Sequence, residues 1–206
     1  MTRIDTFVLI GGRSSRLGRD KAFVEFGGVT LAARAARTIE AAFGDARVTF
    51  VAGGDSQFPN DAVAALGRPM IADLRPGFGA WSGLHAAVAD ARGEWALVLA
   101  CDYPFVSAEL LRHLVTCVTD DHDAVVPVQS DGRLQPLCAV YRAKPLVAEI
   151  EALMDSSGAM PPLVVFLDRK QTRRVEVDEY LTFGDPDRLF ANINTPADLK
   201  LHEFNE

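Results

Sequence analysis

The segment WALVLAC, residues 95–101, restricts the fold of this chain more than any other feature. All of its residues are apolar, so a strand formed here is apolar on both faces. Such strands occur in the parallel sheets of α/β proteins, where helices cover the sheet on both sides. Asp102 and Pro104 follow and indicate that the strand ends there. We therefore expect a central sheet strand with a polar residue at its carboxyl end.

Further predicted strands and helices alternate along the chain, which is typical of an α/β fold around a mostly parallel sheet. Residues 156–190 have the least regular pattern, and residues 190–194 are predicted as a short extended piece. No repeat of fixed period is present. The predicted strands cover 5–10, 47–52, 69–73, 95–101, 124–128, 137–142 and 173–177, and the predicted helices lie behind Thr30, over 82–91, 108–118 and 145–155, and behind Thr195.

The overall composition is typical of one globular domain. The chain has 206 residues, of which 49% are hydrophobic, and its net charge of −7 argues against a nucleic-acid partner. The sequence has neither an apolar run of about 18 residues nor a leader pattern, so we expect no membrane span and a cytoplasmic protein. The cysteines Cys101, Cys117 and Cys138 and the four histidines show no disulfide or zinc spacing. We expect Cys117 and Cys138 to be core thiols.

The loop of residues 11–21 combines glycine with positive charge. It follows a predicted strand and begins with Gly11 and Gly12, which lack a Cβ and allow a ligand to approach the backbone. It matches neither the P-loop nor the GxGxxG dinucleotide pattern. Successive backbone N–H groups and cationic side chains can nevertheless hold phosphate groups. We expect a cradle for a small polyanion, with cations at Arg13, Arg16, Arg19 and Lys21.

Several loops leave the predicted strands in the direction expected for a binding site. Ligands of open α/β sheets bind beyond the carboxyl ends of the strands. Asp102 at such an end could bind Mg²⁺, which takes carboxylates, phosphates and waters as ligands. By itself, Asp102 is equally consistent with a turn that caps a helix. The candidate loops are 11–21, 73–83, 102–105 and 192–195.

The first of these loops carries a resemblance to a known family. LIGGRSSRLGRDK, residues 9–21, resembles the signature LAGGxSxRMGxDK of the molybdenum cofactor guanylyltransferase (MobA-like) family. ACDYP is similar to its CDxP motif, QPLCAVY (135–141) to a segment that lines the far side of the cleft, and NINTPADL (192–199) to NxNTPxDL. DLRPGFGAWSG (73–83) is similar to an Asp followed by GPLAG, with Ala80, Trp81 and Ser82 in place of Pro, Leu and Ala.

The resemblance implies a three-layer α/β/α Rossmann-like nucleotidyltransferase fold. It implies transfer of GMP from GTP to molybdopterin or Mo-molybdopterin with release of pyrophosphate, and Mg²⁺ as cofactor. Molybdenum-insertion proteins and molybdoenzyme chaperones are the implied protein partners. We expect one domain over 1–206, with nucleotide bound by about 1–105 and the acceptor by about 106–206.

The resemblance also implies roles for individual residues. The implied catalytic residues are Arg16, Lys21 and Asp102, with Asp102 binding the metal. Asn192 and Asn194 would bind the acceptor. The implied nucleotide-binding residues are Leu9, Gly11, Gly12, Lys21, Asp73, Gly79 and Gly83.

Two other functions stay open. One is a related nucleotidyltransferase with another base or acceptor, such as a cytidylyl or sugar-phosphate enzyme. Gly11 and Gly12, where the cytidylyl relatives resemble AAG, favour guanine, and so does the second loop that ends in Gly83. The changed residues Ala80, Trp81 and Ser82 keep the alternative open. The other is a nucleotide-binding protein without turnover, against which Arg16, Lys21 and Asp102 argue together. The segment 156–190 could contribute to acceptor binding or to an interface.

Overall fold

The computed structural model describes residues 3–11, 20–44, 46–53, 66–156 and 158–203. The predicted site residues Gly12 and Arg16 lie outside these ranges, as do Arg13 and Arg19. The strands are β1 (Ile4–Leu9), β2 (Glu25–Phe26), β3 (Val29–Thr30), β4 (Val48–Ala52), β5 (Met70–Ala72), β6 (Trp95–Ala100), β7 (Ala124–Pro127), β8 (Cys138–Arg142) and β9 (Thr172–Val175). The helices are α1 (Leu31–Phe43), α2 (Ala80–Asp90), α3 (Ala108–Thr116), α4 (Ala143–Asp155), α5 (Leu163–Leu167), α6 (Val177–Tyr180), α7 (Pro186–Leu189) and α8 (Pro196–Glu203), with 3-10 turns at Lys21–Phe23 and Leu181–Phe183.

A seven-stranded sheet in the order β5-β4-β1-β6-β8-β7-β9 forms the centre of the protein. Strand β1 pairs in parallel with β4 and β6, β4 with β5, and β7 with β9. Strand β8 runs antiparallel to both of its neighbours, β6 and β7. The prediction of a mostly parallel sheet is therefore confirmed, with β8 as the exception.

Strand β6 lies between two hydrophobic layers. Its side chains Trp95, Leu97 and Leu99 belong to one buried cluster, together with residues of α1 and α3. Ala96 and Val98 face the opposite cluster, which includes residues of α2 and α4. Burying each of the two leucines contributes about 2 kcal/mol relative to leaving it in water. The predicted three-layer α/β/α arrangement is confirmed.

The structure confirms the predicted caps at the starts of two helices. The Thr30 hydroxyl accepts a hydrogen bond from the Ala33 N–H at 3.3 Å, and the Ser107 hydroxyl accepts one from the Leu110 N–H at 3.3 Å. Each hydroxyl satisfies one of the backbone donors that a helix leaves unpaired at its start. Among the described residues, no helix is both long and apolar enough to cross a membrane.

Three local features differ from the prediction. Strands β2 and β3 form a small hairpin whose turn, Gly27 and Gly28, has φ angles of 57° and 72°, a conformation that glycine adopts without strain. Residues 191–194 form a loop rather than an extended strand. Helices α5, α6 and α7 have only four or five residues each, which is too short for a helical repeat to show in the sequence.

The carboxyl ends of β1, β4, β5 and β6 lie at one edge of the sheet. Because β8 is antiparallel to β6, with Cys138 opposite Leu99, residues that precede β8 reach the same edge. This edge collects the loops that the sequence singles out.

Candidate functional site

The backbones that follow β1 and β4 approach each other closely at the edge of the sheet. The Gly11 N–H donates to the Val51 carbonyl at 3.2 Å. A Cβ added to Gly11 would lie 2.8 Å from the Gly53 nitrogen, a distance that real side chains essentially never show. Gly11 is therefore required by the fold at the point where the predicted phosphate loop begins.

Lys21, Asp102 and Asn194 meet at this edge. The Lys21 ammonium lies 2.8 Å from Asp102 Oδ2 and donates to Asn194 Oδ1 at 2.6 Å. The side chains of Lys21 and Asp102 are 18% and 20% exposed, so water screens the pair only partly. Three segments that are distant in sequence thus bring a cation, a carboxylate and an amide to one point.

Asn194 is held by the start of helix α8. Asp198 Oδ2 accepts hydrogen bonds from the backbone N–H groups of Asn194 and Thr195, both at 2.8 Å. The Thr195 hydroxyl accepts the Asp198 N–H at 3.2 Å in return. The predicted cap at Thr195 is confirmed, and this reciprocal pattern fixes the backbone that presents Asn194.

Asp73 follows β5 and is half-buried. Its N–H donates to the Ala52 carbonyl at 2.9 Å, which fixes it at the sheet edge. Burial raises the pKa of the Asp73 carboxyl from 3.8 to about 6, and the electrostatic effect of the nearby His85 lowers it in part. Asp73 can therefore gain or lose a proton near neutral pH.

His85 is a buried residue of α2 that the sequence did not point to. Only 1% of its surface is exposed, and its Nε2 lies 3.2 Å from Glu151 Oε1. Its Nδ1 is buried and has no hydrogen-bond partner among the described residues. A histidine inside an apolar helix carries no local signal of its surroundings, so only the fold could place it near Asp73.

Two residues that depart from the family loop, Trp81 and Ser82, make hydrogen bonds within the protein. The Ser82 hydroxyl donates to the Arg75 carbonyl at 2.7 Å and accepts the Phe78 N–H at 3.1 Å. The Trp81 side chain is buried and its Nε1–H donates to the Pro161 carbonyl at 2.8 Å. Both side chains are thus engaged by the protein itself.

The two glycines of this loop have distinct roles in the fold. Gly79 has φ of 61° and precedes the first residue of α2, where a side chain would be strained. Gly83 packs against Leu9, because a Cβ on Gly83 would lie 3.4 Å from the Leu9 side chain. Leu9 itself is buried, and its carbonyl accepts the Cys101 N–H at 3.1 Å.

A chain of hydrogen bonds extends from Asp102's neighbour Tyr103 toward β7 and β8. The Tyr103 hydroxyl donates to Gln135 Oε1 at 2.9 Å, and Gln135 Nε2 donates to Gln129 Oε1 at 2.6 Å. Asn192 hydrogen-bonds Tyr103, while the Asn192 Oδ1 is buried without a hydrogen-bond partner. Gln135 lies in the segment that the sequence linked to the far side of the cleft, whereas Gln129 was missed.

No covalent chemistry is favoured at Cys101. Its thiol is fully buried next to Asp102, and burial raises the pKa of the thiol well above its usual range. A thiol that stays protonated is a poor nucleophile. The described part of this edge instead presents a carboxylate, an ammonium and amides, which suit the binding of a cation and of phosphate groups.

Comparisons with known proteins identify the family to which this chain is similar. The family model of a MobA-like NTP transferase domain matches residues 6–171. A probable molybdenum cofactor guanylyltransferase of Pelotomaculum thermopropionicum is 32% identical over 93% of this chain and 88% of its own length. A molybdenum cofactor guanylyltransferase of Desulfosudis oleivorans is 31% identical over 98% of this chain and 96% of its own.

A solved structure with a related name is also similar to this chain. The crystal structure of molybdopterin-guanine dinucleotide biosynthesis protein A from Archaeoglobus fulgidus superimposes with a TM-score of 0.79. It is 28% identical and covers 98% of this chain and 97% of its own. The similarity therefore extends over nearly the whole chain.

Proposed function

Since the chain belongs to the MobA-like NTP transferase family, we propose that it transfers GMP from GTP to molybdopterin or Mo-molybdopterin and releases pyrophosphate. The names of the relatives from Pelotomaculum thermopropionicum and Desulfosudis oleivorans support guanine as the base. The name of the Archaeoglobus fulgidus protein supports the molybdopterin acceptor. The observation that carries the proposal is the convergence of Lys21, Asp102 and Asn194 at the carboxyl edge of the sheet.

The reaction requires little covalent help from the protein. A phosphate of the acceptor attacks the α-phosphorus of GTP in line, and pyrophosphate leaves. Because the attacking phosphate is already anionic, no general base is needed. Catalysis of this kind depends on positioning and on stabilisation of negative charge. A site built from Lys21 and Asp102, beside a thiol that stays protonated, fits these requirements.

The site also suits Mg²⁺. Asp102 Oδ2 and Asn194 Oδ1 both lie within hydrogen-bond distance of one positive centre, the Lys21 ammonium, so two hard oxygen atoms already face a cation. Mg²⁺ prefers such oxygen ligands together with phosphates and waters. Asp102 would hold the ion, which when bound would neutralise phosphate charge and orient the leaving group. Lys21, released from Asp102, would then bind phosphate oxygens.

The remaining predicted residues keep the roles that the family resemblance implies for them. Arg16 would neutralise charge on the transferred phosphate and on pyrophosphate through its planar guanidinium. Gly11 and Gly12 would let the nucleotide lie against the backbone. Leu9, Gly79 and Gly83 would shape the nucleotide side of the cleft.

The base and the acceptor would bind on opposite sides of Asp102. Asp73 would accept hydrogen bonds from the base or the ribose in its ionised form. Asn192 and Asn194 would bind the acceptor, and the unpartnered Oδ1 of Asn192 offers an acceptor for a donor on the pterin. Residues up to about 105 would thus bind nucleotide, and residues from about 106 the acceptor. The cytoplasmic location and the protein partners stay predictions.

Calorimetric titration with GTP, CTP, ATP and UTP, each with and without Mg²⁺, tests the nucleotide half of the proposal. We expect saturable binding that favours GTP and strengthens with Mg²⁺. Lys21→Met should weaken it, whereas Lys144→Met, which alters a lysine of α4, should leave it unchanged. A preference for CTP would instead support a cytidylyltransferase. The absence of binding by any nucleotide would contradict the proposed cradle.

A further inference from the structure

Three side chains with metal-binding atoms meet on the face of the sheet covered by α3. His113 lies on α3, Cys117 is the residue at which that helix ends, and Glu179 lies on α6. His113 Nε2 is 3.7 Å from Cys117 Sγ and 3.7 Å from Glu179 Oε2. The three ligand atoms all lie within 4.8 Å of one another. None of these residues belongs to the site described above.

These separations are close to those of a tetrahedral zinc site. Zinc bonds of about 2.0–2.1 Å to histidine nitrogen and carboxylate oxygen and about 2.3 Å to cysteine sulfur place neighbouring ligand atoms about 3.3–3.6 Å apart. The two separations of 3.7 Å from His113 Nε2 thus need to shrink only slightly. The spacing of four residues between His113 and Cys117 places both side chains on one face of the helix.

Neighbouring groups hold His113 and Glu179 in place. The Phe183 ring lies 5.4 Å from the imidazole of His113. Glu179 Oε1 accepts the Glu176 N–H at 2.8 Å and Arg173 Nη1 at 3.1 Å. The hydrogen bonds to Oε1, the oxygen that would not bind the metal, fix the orientation of the carboxylate, as is typical of metal sites. Oε2 accepts a hydrogen bond from Arg173 Nη2, which a metal would replace.

The charges near the cluster also allow a cation. The Arg173 guanidinium pairs with both oxygens of Glu179 and keeps the pKa of that carboxyl below its usual range, so Glu179 is ionised at neutral pH. Arg173 opposes the approach of a second cation, but it also favours the thiolate of Cys117. With Cys117 deprotonated and Glu179 ionised, the three proposed ligands carry a net charge of minus two, which the charge of Arg173 reduces to minus one.

We propose that His113, Cys117 and Glu179 form a binding site for a thiophilic divalent cation of the zinc type, with water as the fourth ligand. Binding breaks the Cys117 S–H bond, forms a sulfur–metal bond and releases the proton to solvent. Burial raises the pKa of the Cys117 thiol, so the metal must supply the driving force for this deprotonation. The soft sulfur ligand favours zinc over magnesium.

The expected consequence is structural. The ion would join the end of α3 to α6, which lies in the region 156–190, where the sequence pattern is least regular. Cys117 lies about 15 Å along the helix from Ser107, the end of α3 that follows the Asp102 loop. We therefore expect the metal to raise the thermal stability of the protein without taking part in nucleotide transfer.

Metal binding by the full chain, stripped with a chelator, tests this proposal. Competition with a chromophoric chelator should show one tight Zn²⁺ per chain, and Co²⁺ should produce the charge-transfer absorption of a thiolate ligand. Cys117→Ser should abolish that absorption and weaken Zn²⁺ binding at least tenfold. His113→Gln should weaken Zn²⁺ binding to a similar extent.

Matched controls distinguish this site from general metal affinity. Cys138→Ala removes a buried thiol of β8, and His122→Gln removes a histidine that hydrogen-bonds Thr119. Neither should change Zn²⁺ affinity, provided that circular dichroism shows each variant to be folded. Zn²⁺ should raise the Tm of the unaltered chain and of both controls, but not that of Cys117→Ser. Absence of saturable binding, or binding unchanged in Cys117→Ser and His113→Gln, would overturn the proposal.

Discussion

The ammonium of Lys21 lies 2.8 Å from the carboxylate of Asp102, although 81 positions separate the two residues along the chain. The contact joins the end of the N-terminal loop to the end of the central strand β6. Asn194 binds the same ammonium and brings in the start of α8. One cation thus connects the three segments that the proposed reaction needs.

Replacement of Lys21 tests this connection. Lys21→Met should lower kcat/KM by about 10²–10³, which is the usual cost of losing one group that stabilises developing charge. Lys21→Arg retains the positive charge, so its kcat/KM should fall less. Steady-state kinetics with GTP as the varied substrate would check both values. Activity of Lys21→Met within threefold of the unaltered chain would show that this ammonium does not act in catalysis.

Asp73 predicts a pH dependence of nucleotide binding. Burial raises the pKa of its carboxyl to about 6, so the group is ionised above that pH and protonated below it. If the ionised form accepts hydrogen bonds from GTP, affinity should fall as pH is lowered from 7 through 6. Asp73→Asn should remove this dependence. Calorimetric affinities between pH 5 and 8 would measure it, and parallel profiles for the two proteins would argue against the role of Asp73.

The same raised pKa predicts the pH dependence of stability. Between about pH 4 and pH 6 the folded protein binds more protons at Asp73 than the unfolded chain does, so the contribution of Asp73 to stability falls as pH rises. Asp73→Asn has no carboxyl at this position and therefore lacks this pH-dependent contribution to stability. The stability of the unaltered chain relative to Asp73→Asn should therefore decrease from pH 4 to pH 6. Urea denaturation at each pH would show a constant difference if the raised pKa is wrong.

Replacement of Trp81 by leucine should change the stability of the protein but not its preference for guanine or cytosine. Trp81→Leu restores the family's residue, but it removes the hydrogen bond to Pro161 and the contact with the Phe166 ring at 5.0 Å. The loss should cost about 2–4 kcal/mol, since a large buried side chain is reduced and a carbonyl loses its partner. Urea denaturation would measure the stability of Trp81→Leu and of the unaltered chain, and turnover with GTP and CTP would measure the base selectivity of both. A shift in selectivity would show that Trp81 contacts the base.

Replacing Gly11 or Gly83 by alanine should have different effects on the stability of the protein. Gly11→Ala places a Cβ against the Gly53 backbone and should destabilise the protein by about 1–3 kcal/mol. Gly83→Ala, inside α2, adds only ordinary contact with Leu9 and should be neutral or stabilising by up to about 1 kcal/mol. Chemical denaturation distinguishes them, and equal effects would contradict the close approach at Gly11.

The sequence predicted the sheet and the edge at which the polar loops leave it, because both follow from local patterns. Lys21, Asp102 and Asn194 each lie near the end of an element directed at the carboxyl edge of the sheet, so their convergence could be expected. The antiparallel direction of β8 was not predicted, since an apolar strand has the same pattern in either direction. That direction brings Gln135 to the site.

Other features depend on tertiary contacts that no local pattern shows. His85 and Gln129 acquire their partners from residues 66 and six positions away, respectively, through the packing of the fold. The sequence indicated no metal-binding spacing for His113 and Cys117, and their third partner, Glu179, lies on a four-residue helix in the segment without a regular pattern. Trp81 and Ser82 depart from the family loop in the sequence, and only the structure shows that both side chains hydrogen-bond other parts of the protein.

The central claim is tested most directly by turnover with molybdopterin and each of GTP and CTP, in the presence of Mg²⁺. Pyrophosphate release and the dinucleotide product would be quantified together by coupled assay and mass spectrometry. The account predicts stoichiometric pyrophosphate and molybdopterin guanine dinucleotide from GTP, with at least tenfold less product from CTP. Formation of the cytosine dinucleotide at an equal or greater rate, or no product from GTP under conditions in which GTP binds, would contradict it.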